Sequence, residues 1–356
     1  MFDNEERRPI IGTHDGNFHA DEILACHILL QLPEYKDAQI IRSRNPAVLD
    51  GCDVVVDVGH IYDHSRFRYD HHQRGFSEDS LCVASLGGGG APVKLSSAGL
   101  VYKHHGMRVV KSRYHETMMT SNRHREGTEE DEEADVEDAY FAMYDNFVKA
   151  VDAIDNGISM FDAGKDGARA LYKQSTSLSA RVARMNSAWN EPYSVDSQYA
   201  RFQSALRLVG EEFEQMLRHD VLSVWLPGKK AVREALSETN SNIIEMVRPC
   251  PWRDHLHTLE RPPGSVLYVL YPESYDNNNE RWRVQAVNIG PGSFTCRKPF
   301  PEGWRGLAGA ELSSACGVPG SVFVHAGGFI GGNETREGAL RMAQASLAET
   351  RSDGER

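Results

Sequence analysis

Histidine and carboxylate side chains follow the first predicted strands of the chain at a spacing that suits metal binding. His14, His19 and Asp21 come directly after the first strand, Asp57 closes the third, and an Asp-His-His run occupies residues 70–72. Imidazole and carboxylate ligands together suit Mn²⁺, Zn²⁺ or Fe²⁺, and the absence of cysteine argues against a structural zinc site. Seven of the fifteen histidines lie within the first 72 residues, which marks this region as the candidate site.

Short apolar and β-branched segments predict the elements that must hold these side chains. Strands are predicted over 9–13, 38–42 and 53–58, and a helix over 20–32. The continuous β-branched run at 53–58 is typical of a parallel sheet covered on both faces. Because ligands of open α/β sheets bind at the carboxyl ends of the strands, we expect separate loops to meet there. Asp57 is then the candidate to bridge two cations roughly 3.5 to 4 Å apart, an arrangement that activates water for phosphoester cleavage.

Each residue also has an ordinary interpretation when it is considered alone. His14 and His19 could cap the helix, and Asp21 could favour its dipole. Asp57 could be a turn residue, and Asp70 could form an Asx-turn. His27 faces one side of the helix and is expected to pack in the core, whereas His60 and His64 are ambiguous surface histidines. What favours a metal site is the conjunction in one α/β unit of His14, His19 and Asp21 after the first strand, Asp57 after the third, and the Asp-His-His run at 70–72.

The rest of the first domain is predicted to be helical. Helices are expected over 97–105, where Gly106 ends the helix, and over 140–154, followed by Asn156-Gly157. Between them, residues 126–138 carry nine acids and no base, which predicts a solvated, disordered insertion. A polar hinge is expected at 186–197. We therefore place a metal-binding catalytic domain at 1–190.

A smaller α+β domain is expected at 191–356. It would begin with a helix near 199–218 and contain four strands, predicted over 221–226, 243–248, 265–271 and 282–289. The glycine-rich residues 325–332 precede a C-terminal helix. Glycines allow a backbone to approach phosphate closely, and a helix N-terminus favours anions, so this loop is a candidate substrate contact.

Composition narrows the class of protein. The formal charge of −12 is concentrated in residues 126–138, and the remaining 42 acidic and 39 basic residues nearly balance, so the charge excludes no substrate class. No apolar run approaches the roughly 18 residues of a membrane span. Six cysteines without a C-x-x-C pair suggest a reducing compartment, and no secretory or transit signal is evident, so the expected location is intracellular and cytoplasmic by default.

Six segments together resemble the melanocyte proliferating gene family, a branch of the DHH phosphoesterases. They are THDGNFHADE, VVVDVG, YDHHQRGF, KLSSAGLVYKHHG, VDAIDNG and VHAGGFIGGN, and they span most of the chain. The resemblance implies a parallel-sheet DHH-like phosphoesterase domain, a smaller C-terminal domain and a divalent-metal site, usually for Mn²⁺. It also implies 3′-to-5′ exonuclease activity on single-stranded RNA, and it allows a mitochondrial or nuclear pool.

The resemblance assigns roles residue by residue. The first metal would be held by His14, His19 and Asp57, and the second by Asp21, Asp57, His71 and a downstream aspartate, for which Asp155 is favoured and Asp152 is the alternative. His72 would face the scissile phosphate, with Asp70 supporting it. The candidate substrate contacts in the glycine-rich loop are His325, Gly327, Gly328, Gly331 and Asn333.

Two other functions remain open from the sequence. The same metal site could act on a small phosphate compound such as a short oligonucleotide, a bisphosphonucleoside or pyrophosphate. Alternatively, the chain could be a regulatory protein that binds metal without turnover. Mg²⁺, Zn²⁺ or Fe²⁺ could replace Mn²⁺ in any of these cases.

Overall fold

The computed structural model describes residues 7–78, 81, 93–120, 128–160, 175–238, 241–274 and 281–349. The chain divides into two compact units, residues 1–223 and 224–356. In the described residues, no helix combines the length and the apolar character that crossing a membrane requires.

The first unit contains a five-stranded sheet. Its strands are β1 (Ile10–Thr13), β2 (Gln39–Arg42), β3 (Val54–Val56), β4 (Tyr62–Asp63) and β5 (Arg68–Tyr69). They are ordered β2-β1-β3-β5-β4. All neighbours are parallel except β4 and β5, so the sheet is parallel with one antiparallel edge strand. The three predicted strands are present, whereas β4 and β5 span two residues each and are too short to leave a periodic pattern.

Eight α-helical segments of the first unit fall in the described residues. They are α1 (Ala20–Leu30), α2 (Pro46–Leu49), α3 (Ser97–Val101), α4 (Met107–Thr120), α5 (Glu129–Met143), α6 (Lys149–Asp155), α7 (Leu178–Ala183) and α8 (Val195–Gln215). Helix α1 is buried along nearly its whole length, because it contacts α3 and α8 as well as the sheet. Its first turn can therefore hold side chains away from water at the edge of the sheet.

Two predictions about this region were wrong. The helix that begins at Ser97 does not end at Gly106, because a π-helical turn over Tyr102–Gly106 leads directly into α4. A Cβ at Gly106 would lie 2.6 Å from the Tyr102 ring, so the glycine allows close packing. The acidic segment is helical over its described part, residues 128–138. Thr128 caps α5, and Asp135 accepts a 2.8 Å hydrogen bond from the Tyr114 hydroxyl.

The boundary between the units falls after Ser223, beyond the predicted position 190. Helix α8 packs against α1, and Phe202 on α8 meets Phe18 edge-to-face at 5.8 Å, so α8 belongs to the first unit. The strand predicted over 221–226 was also wrong. Residues Met216–Trp225 form π-helical turns that bury Leu217, Val221 and Leu222, and apolar spacing of this kind was misinterpreted as a strand.

His27 on α1 supports a pH prediction. Its ring packs against Phe213 at 5.4 Å, and burial lowers the pKa of His27 to about 4. In the unfolded chain, the His27 ring takes up its proton near pH 6.5. The neutral, buried ring therefore contributes its full stabilisation above that pH, and this contribution is lost as the pH falls towards 4. We expect unfolding free energy from urea titrations to decline over this window by up to about 1.4 kcal/mol per pH unit from this residue.

His27→Leu should flatten that decline, whereas His219→Leu should not, because the His219 side chain is 70% exposed. Equal slopes for the wild type and His27→Leu would contradict the prediction.

The second unit contains a second five-stranded sheet. Its strands are β6 (Ile243–Glu245), β7 (Tyr268–Pro272), β8 (Trp282–Ala286), β9 (Ser321–Val324) and β10 (Ile330–Asn333), in the order β6-β7-β8-β10-β9. The helices are α9 (Leu226–Ser237), α10 (Trp252–Leu259), α11 (Gly309–Cys316) and α12 (Arg336–Ala348). Only β6 and β7 are parallel, which agrees with the α+β expectation. Strands predicted at 243–248, 265–271 and 282–289 and the C-terminal helix are present.

Candidate metal centre

The loops after three neighbouring strands meet at one edge of the first sheet. His14 follows β1, Asp57 follows β3, and Asp70, His71 and His72 follow β5. Because β1, β3 and β5 are adjacent and parallel, their carboxyl ends lie side by side. Helix α1 begins at Ala20 above the same edge and adds its first turn. This arrangement is the one that parallel α/β sheets use for ligand sites.

The first group of ligand-type atoms lies between β1, β3 and α1. His14 Nε2 is 2.9 Å from Glu22 Oε1 and 3.4 Å from Asp57 Oδ2. One nitrogen or oxygen from each of His14, His19, Glu22 and Asp57 falls within 4.8 Å of the others. Glu22 is fully buried and was missed from the sequence, where an acid in the first helical turn is typical of a helix dipole partner. The signal in the sequence that could have indicated Glu22 as a ligand is its position three residues after His19.

Two further groups extend this cluster through shared residues. Asp57 also lies with His71 and His72, and His71 lies with Asp21 and Asp155. His71 Nε2 is 3.1 Å from Asp155 Oδ2, 3.6 Å from Asp57 Oδ1 and 4.0 Å from Asp21 Oδ2. The three groups therefore form one continuous cluster in which Asp57 occupies the middle. We call the eight residues of these three groups the edge cluster: His14, His19, Asp21, Glu22, Asp57, His71, His72 and Asp155.

Asp57 reaches this position through unusual backbone geometry. Its φ is +55°, in the left-handed region that non-glycine residues adopt rarely, with Asp and Asn enriched among them. The Asp57 amide donates to Tyr69 O at 3.0 Å, and the Ser97 hydroxyl donates to Asp57 Oδ1 at 3.2 Å. These contacts hold the carboxylate inside the edge cluster.

Asp70 orients its neighbours and does not join the three groups. It is buried, and its Oδ1 accepts from both the backbone amide and the Nδ1 of His72, at 3.0 and 2.7 Å. Its other oxygen accepts from the His60 amide at 2.6 Å. The His72 side chain is 52% exposed, so it is the histidine of the cluster that is both held at one nitrogen and open to solvent.

Asp152 and Asp155 occupy different surroundings. Asp152 is fully buried and accepts hydrogen bonds from the amides of Ser96 and Gly99 and the hydroxyls of Ser96 and Tyr144, between 2.7 and 3.1 Å. Burial raises the pKa of Asp152 to about 6. Asp155, one helical turn later, contacts His71. The geometry thus brings Asp155 into the cluster and uses Asp152 to anchor the start of α3.

Burial and neighbouring charges shift the pKa values of several side chains in the edge cluster. Burial disfavours the charged ring, but the carboxylates of Asp57 and Glu22 accept hydrogen bonds from it and raise the pKa of His14 to about 9. In the same way, Asp155 and Asp57 raise the pKa of His71 to about 10 against the effect of burial. Burial, and then repulsion from Asp57 and Asp155, raises the pKa of Asp21 well above its ordinary value. Among the described residues, no lysine or arginine pairs with these four carboxylates.

This donor set fits divalent cations. Buried carboxylates need compensating charge, and here the described part of the chain offers only imidazoles. The Nδ1 atoms of His14 and His71 are buried without a hydrogen-bond partner among the described residues. Mixed imidazole and carboxylate donors suit Mn²⁺, Fe²⁺ or Zn²⁺.

Metal addition should therefore stabilise the folded protein. Chelator-stripped protein should melt at a higher temperature after Mn²⁺ is added, because a ligand present at 100 times its dissociation constant adds about 2.7 kcal/mol of unfolding free energy. Differential scanning calorimetry measures this directly. Asp57→Asn should show a much smaller rise, and an equal rise in that variant would contradict the assignment.

Two cavities adjoin the edge cluster within the first unit. The sheet-edge cavity, of about 640 Å³, reaches from His14 and Asp57 past His72 to Arg44 and Arg68. The α6–α7 cavity, of about 440 Å³, is lined by Val151, Ile154, Ser177, Ser179, Ala180 and Ala183. His19 and Asp155 line both cavities, so both cavities adjoin the edge cluster.

The glycine-rich segment of the second unit is the tip of a hairpin between β9 and β10, not the start of the helix. His325 and Gly327 are exposed there, and His325 Nδ1 accepts from the Gly327 amide at 3.0 Å. Gly328 has φ +68°, and a Cβ at Gly331 would lie 3.0 Å from Phe323 O, so these two glycines serve the turn and the packing.

Asn333 is fully buried, so it has no surface to offer a substrate. Its amide nitrogen donates to Pro319 O at 3.0 Å, and its oxygen accepts from the Thr335 amide at 3.0 Å. A Cβ at Gly338 would lie 2.0 Å from Asn333 Oδ1. Asn333 therefore joins β10 to the start of α12, and its prediction as a substrate contact does not agree with this geometry.

The fold and the edge cluster define an α/β protein with a candidate metal centre at the carboxyl edge of a largely parallel sheet. The family model described as uncharacterised protein family UPF0160, or MYG1_exonuc, matches residues 10–347. A MYG1 exonuclease of Homo sapiens is 46% identical over 352 residues, covering 96% of this chain and 86% of that protein. A MYG1 protein of Caenorhabditis elegans is 40% identical, covering 95% of each. The chain belongs to the MYG1 family, which confirms the resemblance found in the sequence.

A solved structure of a pGpG-specific phosphodiesterase from Vibrio is 14% identical and covers 98% of this chain and 100% of that chain. Its TM-score is 0.26, a similarity too low to define a shared fold.

Proposed function

We propose that the chain is a divalent-metal-dependent phosphodiesterase that removes nucleotides from the 3′ end of single-stranded RNA. The observation that carries this proposal is the edge cluster: four carboxylates and histidines at one sheet edge, without a lysine or arginine partner among the described residues. Relatives named MYG1 exonuclease support the nuclease class.

Two sets of residues would hold the cations. His14, His19, Glu22 and Asp57 would hold one, and Asp21, His71 and Asp155, with Asp57 between the sets, would hold another. Bound Mn²⁺ supplies Lewis-acid stabilisation of a phosphoryl oxygen and lowers the pKa of water. Mn²⁺ is the proposed metal, and Mg²⁺, Zn²⁺ or Fe²⁺ are its alternatives.

His72 would act on the phosphate directly. Its Nδ1 donates to Asp70 at 2.7 Å, and this hydrogen bond raises the pKa of His72, which favours the protonated ring. The protonated ring can then donate a second hydrogen bond from Nε2 to a phosphate oxygen in the sheet-edge cavity. Asp70 is the positioning residue, because it fixes both the backbone and the ring of His72. In the second unit, the exposed His325 and Gly327 are the proposed substrate contacts, and Gly328 and Gly331 shape the hairpin that presents them.

A small phosphoester is the second candidate substrate. The sheet-edge cavity of about 640 Å³ lies in the range of small-molecule sites, roughly 300–1,000 Å³, so it is large enough for a mononucleotide or dinucleotide. An intracellular location is proposed with either substrate, because five cysteines in the described residues are unpaired.

The proposal is tested with chelator-stripped protein, Mn²⁺ and a single-stranded 20-nucleotide RNA labelled at its 5′ end. We expect a ladder that shortens from the 3′ end and that is absent with His71→Ala. Dinucleotides are assayed in parallel, and faster turnover of dinucleotides than of the RNA would favour the small-substrate enzyme. Manganese binding without turnover of either substrate would overturn the enzyme proposal in favour of a regulatory protein.

A further inference from the structure

The α6–α7 cavity adjoins the edge cluster, and most of its lining residues are not part of the proposed metal centre. His19, Asp21 and Asp155 form its inner wall, and α6 and α7 form the rest. A phosphodiester bound at the cluster carries two substituents, which need space on two sides. The sheet-edge cavity offers one such space and the α6–α7 cavity offers the other, because both share His19 and Asp155.

The two cavities differ in charge. Beyond the edge cluster, the sheet-edge cavity is lined by two arginines, Arg44 and Arg68, as well as by Asp50 and Asp70. The arginines offer the cationic groups that suit the phosphates of a continuing strand. Beyond the edge cluster, the described residues that line the α6–α7 cavity carry no charge. A terminal nucleoside with a free 3′ hydroxyl has no further phosphate, so it suits a cavity that offers no cationic side chain beyond the edge cluster.

The lining of the α6–α7 cavity suits a nucleoside. Ile154, Ala180 and Ala183 provide apolar surface for a flat base. Ser177 Oγ accepts from the Ala180 amide at 3.4 Å, which leaves its hydroxyl proton available for donation, and Ser179 lines the same cavity. These hydroxyls match the hydroxyls of a ribose. The volume of about 440 Å³ lies at the low end for ligand sites, as expected for one nucleoside.

We infer that the α6–α7 cavity binds the 3′-terminal nucleoside of the substrate while its 5′ phosphate lies at the edge cluster. This inference rests on the proposed function and adds to it the site that selects a free strand end. The released product, a nucleoside 5′-monophosphate, would occupy the same position.

The probe is 5′-AMP, titrated calorimetrically into Mn²⁺-loaded protein. Ala180→Phe places a ring in the cavity and should weaken 5′-AMP binding by about tenfold or more, a loss of at least about 1.4 kcal/mol. Ala200→Phe is the matched control, because Ala200 is exposed on α8 outside the cavity, and it should bind 5′-AMP as the wild type does. Mn²⁺ stoichiometry should be equal in all three proteins, which verifies that Ala180→Phe folds.

A 3′-phosphorylated RNA provides a second readout, since the described residues that line the α6–α7 cavity include no lysine or arginine to pair with a terminal phosphate. It should be degraded more slowly than the same RNA with a 3′ hydroxyl, and Ala180→Phe should reduce this difference. Unchanged 5′-AMP binding in Ala180→Phe would overturn the cavity assignment even if the wild type degrades RNA. Conversely, cavity-dependent 5′-AMP binding without RNA cleavage would support the cavity and contradict the proposed function.

Discussion

Asp57→Asn is expected to abolish most Mn²⁺-dependent phosphodiester cleavage while the fold is retained. Asp57 lies in the middle of the edge cluster and contributes oxygen atoms to two of its three groups. Replacing one oxygen by an amide nitrogen removes a donor and one negative charge from both sets. We expect activity and Mn²⁺ affinity to fall by at least about a hundredfold, because even residues that only support metal ligands contribute 10–100-fold.

The substitution is conservative for the fold. Asparagine tolerates the left-handed backbone at φ +55°, and its side-chain oxygen can still accept from the Ser97 hydroxyl. Asp37→Asn is the matched control, because Asp37 is exposed and lies outside the edge cluster. Cleavage rates and Mn²⁺ titrations of both variants test whether Asp57 belongs to the active site. Near-normal activity in Asp57→Asn would exclude the edge cluster as the active site.

Asp152→Ala and Asp155→Ala are expected to fail in different ways, although the two aspartates are three residues apart. Asp152 accepts four hydrogen bonds in the core, and each buried donor left unsatisfied costs about 1–3 kcal/mol. Asp152→Ala should therefore lower the free energy of unfolding by about 3 kcal/mol or more. Urea denaturation of the metal-free proteins measures this loss.

Asp155→Ala should keep most of the stability and lose Mn²⁺ affinity. Its side chain is 15% exposed and its contact is with His71, where it belongs to a group of ligand-type atoms. A stable Asp155→Ala that binds Mn²⁺ like the wild type would contradict its place in the metal centre. Equal loss of stability in both variants would contradict the separate roles.

The edge of the sheet was predictable because its determinants are local. β-branched runs mark β1, β2 and β3, and a parallel sheet places the residues that follow each strand at a common edge. His14, Asp57 and His71 could therefore be grouped from the sequence alone. Glu22 could not, since its inclusion depends on how deeply the first turn of α1 is buried, which arises from contacts with α3 and α8.

Tertiary packing also explains the wrong predictions. Acidic residues 129–138 form a helix because Thr128 caps it and because apolar residues of the same helix, such as Val136 and Ala139, are buried. Gly106 and Asn333 have residue types that are common at helix ends and ligand loops, respectively. Contacts in the folded chain give both residues other roles. The Tyr102 ring leaves room only for a glycine at position 106, and the side-chain amide of Asn333 donates to Pro319 O and accepts from the Thr335 amide.

The most direct test of the metal centre is to locate manganese in crystals of the protein by anomalous scattering. We predict peaks beside His14, Glu22 and Asp57 and beside Asp21, His71 and Asp155. Peaks should be lost or weakened in Asp57→Asn and unchanged in Asp37→Asn. Manganese bound elsewhere in a crystal of active enzyme, with none at the edge cluster, would contradict the account.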